Sequence, residues 1–321
     1  MFACLDLGGT NIRGTWIDSR GRSGQVDLQP RPRSLEGTKE SLISLIGRIQ
    51  GQAPERLSGI GLATAGPLDH RRKTYLRTSN MPELDHFRVG AFLEEAFSLP
   101  VLMENDAQAA ALGEVWAGGL AGRTEAVVLT LGTGVGSGVI MGGTIWRANH
   151  FTGPELGHIH LGFGRPRCGC GQEGCAETWL NKQALMDLFQ EQGHAVTELR
   201  EMLPLVRQGD EGAAAAMRHY GERAGLYFSI LQVTFGMRAI GLSGGLSSFI
   251  PYCEASIWET LKSRFEHRPW WIPETIAVSP DPEMSALKGM ARAFVLQPAQ
   301  AADRGFENGG SRNLQGKTRQ G

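Results

Sequence analysis

Short apolar runs that predict strands alternate along the chain with stretches whose apolar residues have helical spacing. The chain opens on a hairpin: Phe2 to Leu7 predicts a buried strand, Gly8-Gly9-Thr10 a tight turn and Ile12 to Ile17 a second strand. Further strands are predicted over residues 59–63, 101–103, 126–131, 139–141 and 239–242. Helices are predicted over residues 41–49, 90–97, 107–116, 212–233 and 284–296, with others starting at 182 and 198.

The opening hairpin is echoed near the middle of the chain. Ala126 to Leu131 is again an apolar strand, and it is followed by a glycine-rich turn over Gly132 to Gly138 and by the apolar Val139 to Met141. The sequence therefore suggests a degenerate internal repeat at the scale of half the chain.

The last residues differ in composition from the rest of the chain. From Gln297 onward the sequence consists largely of Gly, Arg, Asn, Gln and Ser and has no hydrophobic periodicity. We therefore expect residues 297–321 to form a disordered tail.

The overall composition is that of a globular protein and argues against two classes of function. The 321 residues suit one large or two medium domains, and 41% of them are hydrophobic. A net charge of −1 lacks the basic excess of a nucleic-acid-binding protein, and no apolar run approaches the roughly 20 residues of a membrane span. Met1 to Asp6 lacks the features of a signal peptide, so we expect a cytoplasmic protein.

Two Gly-Thr turns are candidates for phosphate binding. Gly8-Gly9-Thr10 and Gly132-Thr133-Gly134 each follow a predicted buried strand, where backbone N–H groups can point at phosphate oxygens. Asp6, near the end of the first strand, is a candidate outer-sphere partner of Mg²⁺. Each turn alone is also compatible with a purely structural hairpin. The second turn does not match G-x-G-x-x-G, and Gly316-Lys317-Thr318 lacks the strand and helix that a Walker A motif requires.

Asn105 and Asp106 lie between a predicted strand and an alanine-rich helix that Asp106 opens. One interpretation is that they cap the helix. The other is that Asp106 is a general base, which accepts the proton of a hydroxyl group as that group attacks a phosphate. The helix dipole favours the ionised carboxylate and a low pKa, which phosphoryl transfer tolerates because the base mainly orients the nucleophile. Both interpretations can hold together.

Four potential metal ligands are clustered in the second half of the chain. They are His158, Cys168, Cys170 and Cys175. Three cysteines and one histidine form the ligand set of a closed, structural zinc site. Disulfide bonds are the alternative, disfavoured by the one-residue gap between Cys168 and Cys170 and by the expected reducing compartment.

Taken in order, these segments resemble the ROK family of repressors and sugar kinases, which has the actin-like ATPase fold. The resemblance covers residues 2–296. It rests on Asp6-Leu7-Gly8-Gly9-Thr10, Asn105-Asp106, Leu131-Gly132-Thr133-Gly134-Val135-Gly136, Glu155-Leu156-Gly157-His158, the run from Cys168 to Glu177, and Ser243-Gly244-Gly245.

The resemblance implies an α/β protein of two domains around a cleft. These would be residues 1–118 and residues 119–296, the second with a structural zinc loop, and the last helix can pack back onto the first domain. ATP, Mg²⁺ and Zn²⁺ are the implied cofactors, and a small sugar is the implied substrate. We also expect a homodimer.

The resemblance also assigns roles to single residues. Asp106 would be the general base for the 6-hydroxyl of the sugar. The residues expected to bind the other hydroxyl groups are Asn80, Asn105, Glu155, His158 and Glu177. The residues expected at the nucleotide are Asp6, Gly8, Gly9, Thr10, Asn11, Thr133, Gly134, Gly244 and Gly245. His158 is expected both to bind zinc and to face the sugar.

Two loops depart from the family pattern. Pro154 stands where the family usually has glycine, and Ala65-Gly66-Pro67 replaces part of a Gly-x-Pro-Gly segment. Both loops would border the sugar, so activity on the commonest sugars of the family could be low.

The sequence thus predicts an ATP-dependent, hexokinase-type kinase for the 6-hydroxyl of a hexose or N-acetylhexosamine. The candidate sugars are N-acetylglucosamine, N-acetylmannosamine and glucose. One alternative without kinase activity is a sugar-sensing repressor, although the first strand at residue 2 leaves no room for a helix-turn-helix before it. The other is a catalytically silent binder, against which the intact Asp6, Asp106 and phosphate turns argue.

Overall fold

The structure is a computed structural model that describes residues 1–78, 81–147, 153–162 and 166–307, with side chains up to residue 297. The strands are β1 (Phe2–Leu7), β2 (Asn11–Ile17), β3 (Asp27–Pro30), β4 (Gly59–Thr64), β5 (Leu68–Asp69), β6 (Thr74–Tyr75), β7 (Val101–Asn105), β8 (Ala126–Leu131), β9 (Val135–Met141), β10 (Thr144–Ile145), β11 (Ala239–Ser243) and β12 (Thr275–Val278). The helices are α1 (Leu35–Gln52), α2 (Val89–Phe97), α3 (Asp106–Ala117), α4 (Glu177–Leu180), α5 (Lys182–Glu191), α6 (Leu199–Arg207), α7 (Glu211–Phe235), α8 (Glu254–Arg264) and α9 (Pro282–Glu307). Within this described part, no helix is long and apolar enough to cross a bilayer.

The first sheet has the strand order β3-β2-β1-β4-β7. Its centre is parallel, because β4 pairs in the same direction with both β1 and β7. In this register Leu7 lies beside Thr64, and Thr64 lies beside Asn105. The carboxyl ends of three strands therefore meet at one edge, which is where ligands bind in open α/β sheets.

The second sheet repeats this arrangement with the order β10-β9-β8-β11-β12. Its central strand β8 forms an antiparallel hairpin with β9 and a parallel pair with β11, as β1 does with β2 and β4. The shared order agrees with the half-chain repeat that the sequence suggests. Each sheet therefore carries one of the two Gly-Thr turns at the tip of its central hairpin.

Helices α3 and α9 pack against each other between the two sheets. Ala111, Leu112 and Val115 of α3 join a hydrophobic cluster with residues of the second sheet. Leu287 and Met290 of α9 join a cluster with residues of the first sheet. The last helix thus returns to the first sheet, as the resemblance implies, whereas the domain limits at residues 118 and 119 stay a prediction.

Helix α1 shows how the apolar pattern places an element. Its buried side chains include Leu42, Leu45, Ile46 and Ile49, the set whose spacing predicts the helix. The helix nevertheless begins at Leu35, six residues before the predicted start, because the side chain of Ser34 caps its amino end.

The last helix is longer than predicted. It continues to Glu307 instead of ending at Leu296, so the expected disordered tail does not begin at residue 297. Composition alone suggested that tail, but residues 297–307 contain three alanines, the residue with the highest helix propensity. Residues 308–321 lie outside the described part of the chain.

Candidate active site and metal centre

The end of strand β7 places two polar side chains at the ligand-binding edge of the first sheet. Asn105 is the cap of α3, because its Oδ1 accepts the backbone N–H groups of Ala107 at 3.0 Å and Gln108 at 3.2 Å. Asp106 is the first helical residue, as predicted, and its carboxylate accepts the Ala107 N–H at 2.8 Å. The cap of the helix is Asn105, which leaves the Asp106 carboxylate with unused acceptor capacity.

The environment of Asp106 changes its acidity. Burial, together with the negative charge of Asp6 and to a smaller extent of Glu155, raises the pKa of Asp106 to about 6. Backbone N–H groups at the helix start act in the opposite direction without outweighing these effects. The low pKa expected from the helix dipole is thus wrong. A carboxyl group with a pKa near 6 is ionised at neutral pH and can still accept a proton effectively.

The first Gly-Thr turn connects β1 to β2 beside Asp106. The backbone N–H of Gly8 donates to the carbonyl of Asn11 at 2.9 Å, which closes the turn and leaves Thr10 and Asn11 exposed at its tip. Asp6 is held by Arg13, whose Nη2 lies 2.7 Å from its Oδ2. The turn thus presents backbone groups at the edge where Asp106 lies.

The second Gly-Thr turn has the equivalent place in the second sheet. The backbone N–H of Gly132 donates to the carbonyl of Gly134 at 3.0 Å, so Thr133 lies at the tip. Gly244 follows β11 with a φ of 85°, and a Cβ there would lie 2.5 Å from the carbonyl oxygen of Leu131. Only glycine fits this contact. Gly244 and the Gly245 that follows it therefore lie close to Leu131, the residue before the turn.

The carboxylate of Glu177 connects the second turn to the cysteine cluster. Its Oε2 accepts the backbone N–H of Val135, at the end of the turn, at 3.0 Å. Its Oε1 lies 3.1 Å from the Sγ of Cys168. Glu177 therefore contacts the two parts of the site that the sequence assigns separately to nucleotide and metal.

Glu155 and His158 lie on a loop fastened to strand β9. The hydroxyl of Ser137 donates to the carbonyl of Pro154 at 2.7 Å and accepts the N–H of Leu156 at 3.1 Å. A Cβ at Gly157 would lie 2.1 Å from the carbonyl oxygen of Val135, so glycine is required there. The loop thus runs along β9 with Glu155 and His158 exposed.

Charge interactions connect the acidic groups of the two halves of the chain. Glu155 raises the pKa of Asp106 across the two halves of the chain. Burial and the charge of Glu177 raise the pKa of Glu155, while His158 lowers it. The sequence-predicted residues Asp6, Asp106, Glu155, His158 and Glu177 are therefore brought together, whereas Asn80 lies outside the described residues.

The four predicted metal ligands form one cluster. Their ligand atoms all lie within 4.8 Å of one another, with Cys168 and Cys175 buried and His158 and Cys170 exposed. The Nδ1 of His158 lies 3.5 Å from the Sγ of Cys168, and the Sγ atoms of Cys170 and Cys175 lie 3.6 Å apart. The three cysteines of the cluster form no disulfide bonds.

The spacing of this cluster fits zinc. A tetrahedral ion with Zn–S bonds of about 2.3 Å separates its sulfur ligands by roughly 3.8 Å. The backbone N–H of Gln172 lowers the pKa of the Cys170 thiol, whereas burial raises the pKa of the Cys168 and Cys175 thiols, so zinc binding would release protons there. Since Nδ1 of His158 faces the cysteines, its Nε2 is left for another partner.

Several residues that shape the site were missed in the sequence. Arg31 contacts the first turn and Arg13 contacts Asp6 in the strand before it. The hydroxyl groups of Tyr75 and Thr64 form a 2.7 Å hydrogen bond. Ser137 binds the carbonyl of Pro154 in the loop that carries Glu155. None belongs to a recognisable motif. Only Ser137, within the glycine-rich run after β8, lies where the sequence draws attention.

Comparison with known proteins agrees with the fold. The model of the ROK family matches residues 2–296. The N-acetyl-D-glucosamine kinase of Citrobacter koseri is 30% identical over 263 residues, which are 78% of this chain and 85% of that protein. The crystal structure of a ROK family glucokinase from Streptomyces griseus in complex with glucose and AMPPNP superimposes with a TM-score of 0.79 and 26% identity, and covers 91% of this chain and 98% of the other.

A similar protein of another kind is the xylose repressor of Bacillus spizizenii. It is 30% identical over 235 residues, which are 72% of this chain, and the chain spans about 60% of the repressor's length. The family therefore contains both kinases and repressors. The match over nearly the whole length, together with the actin-like ATPase fold, shows that the chain belongs to the ROK family.

Proposed function

We propose that the protein is an ATP-dependent kinase that phosphorylates the 6-hydroxyl of a hexose or N-acetylhexosamine. The observation that carries the proposal is Asp106, whose pKa is raised to about 6 at the edge where two sheets present their Gly-Thr turns. A base that titrates near neutrality, beside backbone N–H groups suited to phosphate, is what transfer from ATP to a hydroxyl requires.

In this mechanism Asp106 accepts the proton of the 6-hydroxyl as its oxygen attacks the γ-phosphate of ATP. The turns Gly8–Thr10 and Gly132–Gly134 would hold the phosphates through their N–H groups, and Gly244–Gly245 would lie against the adenosine. When bound, Mg²⁺ would offset the phosphate charge, with Asp6 as its outer-sphere partner. The Arg13 contact orients the Asp6 carboxylate for this role.

The other sugar hydroxyls would be bound by the exposed loop of the second half. Glu155 and His158 lie there, Glu177 is the first residue of α4, and Asn105 and Asn80 would be contributed by the first half. Zinc would fix the imidazole of His158 through Nδ1, and Nε2 would then face the sugar. The departure at Pro154 leaves this loop in place, because the interactions with Ser137 use the carbonyl of Pro154 and not the missing N–H.

The alternative is a sugar-sensing protein without kinase activity, favoured by the similarity to the xylose repressor. A sensor needs the sugar-binding loop but has no need of a base with a pKa near 6. The kinase is supported by Asp106 and by both phosphate turns. The predicted homodimer can be tested by light scattering of the pure protein.

The test is ADP release from ATP and Mg²⁺ by the purified protein over a panel of about a dozen sugars. We expect stimulation by at least one of N-acetylglucosamine, N-acetylmannosamine and glucose, and none by the 6-deoxy analogue of that sugar. Sugar binding without ADP release for every compound would favour the sensor.

A further inference from the structure

The side chain of Arg31 is a buried cation directly beneath the first Gly-Thr turn. The side chain is 0% exposed to solvent. Its Nε and Nη2 both lie 3.2 Å from the carbonyl oxygen of Gly9, and Nη1 donates to the carbonyl of Pro32 at 3.2 Å. The backbone N–H of Arg31 also donates to the carbonyl of Thr10 at 2.8 Å. Arg31 therefore contacts two successive carbonyl groups of the turn.

The contact with the Gly9 carbonyl sets the direction of the Thr10 N–H. A trans peptide unit is planar, and its C=O and N–H point in opposite directions. Because the guanidinium holds the Gly9 carbonyl toward the protein interior, the N–H of Thr10 is directed away from Arg31. Thr10 is exposed at the tip of the turn, so this N–H faces outward at the ligand-binding edge.

The guanidinium is itself held in place by Glu83. The two side chains form an ion pair between Nη1 of Arg31 and Oε1 of Glu83, and only 20% of the Glu83 side chain is exposed. The Pro32 carbonyl, which accepts from Nη1 of Arg31, also accepts the hydroxyl of Thr38 at 3.2 Å. This second contact restrains the segment that holds the guanidinium. Burying an ion pair costs desolvation, so the pair is weak evidence for a role in stability alone.

We propose that Arg31 is a positioning residue for phosphoryl transfer: it fixes the peptide between Gly9 and Thr10 so that the Thr10 N–H donates to a phosphate of the nucleotide. The inference rests on the proposed kinase function. It assigns to Arg31 no contact with ATP, since the guanidinium is buried under the turn. Arg31 acts only through the orientation of the backbone.

The first test is Arg31→Lys. Lysine keeps the charge beside Glu83 but cannot reproduce the planar set of donors that reaches Gly9, Pro32 and Glu83 together. We expect KM for ATP to rise about tenfold or more, with KM for the sugar changed less than about threefold, because misplacing one phosphate donor is costly. Arg33→Lys, an exposed position in the same segment, is the matched control and should leave both values unchanged.

A second variant separates positioning from stability. In the double variant Arg31→Met/Glu83→Met both charges are removed, so no unpaired buried charge remains and the protein should melt near the wild-type temperature. Positioning predicts that KM for ATP stays raised in this protein although its stability is restored. A wild-type KM for ATP in a folded double variant would overturn the inference, and so would a wild-type value in Arg31→Lys.

Binding of ADP, measured by calorimetry, keeps this test separate from the proposed reaction. We expect about tenfold weaker binding to Arg31→Lys than to the wild type and to Arg33→Lys. If the wild type binds ADP but phosphorylates no sugar, the kinase proposal fails while this binding difference still tests Arg31. Equal ADP affinity of all three proteins would contradict the role of Arg31.

Discussion

The two Gly-Thr turns occupy equivalent places in two sheets of the same strand order, but they are supported by opposite charges. Beneath the first turn, the cation Arg31 holds the carbonyl of Gly9. Beside the second, the anion Glu177 holds the N–H of Val135. The backbone pattern is therefore repeated, whereas the side chains that fix each turn are not.

This difference separates the tasks of the two halves. The support of the first turn is fully buried, so Arg31 can affect a ligand only through the backbone that it holds. The support of the second turn is a half-exposed carboxylate that also contacts Cys168 of the metal cluster. The second half therefore joins the residues proposed for nucleotide, metal and sugar, while Asp106, the proposed base, belongs to the first half.

The largest effect should come from removing the base of the first half. We expect Asp106→Asn to lower kcat by about 10²–10⁴-fold with little change in the binding of ATP or sugar, because asparagine cannot accept the proton. Helix α3 should be retained, since Asn105 provides its cap. Steady-state kinetics and separate titrations check this, and retention of more than a tenth of wild-type turnover would exclude Asp106 as the base.

The same variant should not be destabilised. The pKa of Asp106 in the folded protein is about 6, above that of an aspartate in an unfolded chain, so its contribution to stability is present at low pH and is lost as the pH rises through 6. At neutral pH asparagine removes this unfavourable ionisation. An equal or higher Tm at pH 7 is expected, and a clear fall in Tm would mean that Asp106 has a structural role.

The second largest effect concerns the metal of the second half. We expect close to one zinc per chain, and in Cys170→Ser a rise of about 10–100-fold in KM for the sugar, because loss of a ligand frees the imidazole of His158. KM for ATP should change less. Metal analysis and kinetics test this, with Cys253→Ser, outside the cluster, as the control. A folded Cys170→Ser protein with unchanged KM for the sugar would make the zinc a distant structural element.

A smaller effect should distinguish the two supports. Glu177→Ala removes a carboxylate that contacts the second turn and also lies in the sugar-binding group, so both KM values should rise, each by about tenfold for one charge-assisted hydrogen bond. Arg31→Lys, in contrast, should change the value for ATP only. If only one of the two KM values changes in Glu177→Ala, the Glu177 carboxylate does not act in the binding of both ATP and sugar.

The smallest effect near neutrality is the pH dependence. Since Asp106 acts in its ionised form, kcat/KM should be level above about pH 7 and fall about tenfold per unit below pH 6, the pKa of Asp106. The residual activity of Asp106→Asn should lack this fall. A wild-type profile that stays level down to pH 5 would show that another group limits the reaction.

Much of the fold could be predicted from the sequence because it lies in local patterns. The apolar spacing of α1, the opening hairpin and the His158 and cysteine cluster are each visible within short segments. The exact start of α1 could not be predicted from its apolar residues, because the capping Ser34 lies outside the amphipathic pattern.

The effects of contacts between distant segments could not be predicted from the sequence. The pKa of Asp106 is raised first by burial and then by the charges of Asp6 and Glu155, which lie far from it in the chain. Arg31, flanked by Pro30 and Pro32, has no periodicity or motif, and its role follows only from its contact with Gly9. Local reasoning about the helix dipole therefore predicted the wrong direction for the pKa of Asp106.

In the proposed reaction Asp106 is the base that allows a sugar hydroxyl to attack the γ-phosphate of ATP. Following that phosphate is the sharpest test of this role. Phosphorus NMR can follow ATP, Mg²⁺ and the best sugar of the panel with the wild type and with Asp106→Asn. For the wild type we expect a sugar 6-phosphate signal that grows in step with ADP, and for the variant we expect neither signal over the same period. Release of inorganic phosphate in place of a sugar phosphate, or equal sugar phosphorylation by both proteins, would contradict it.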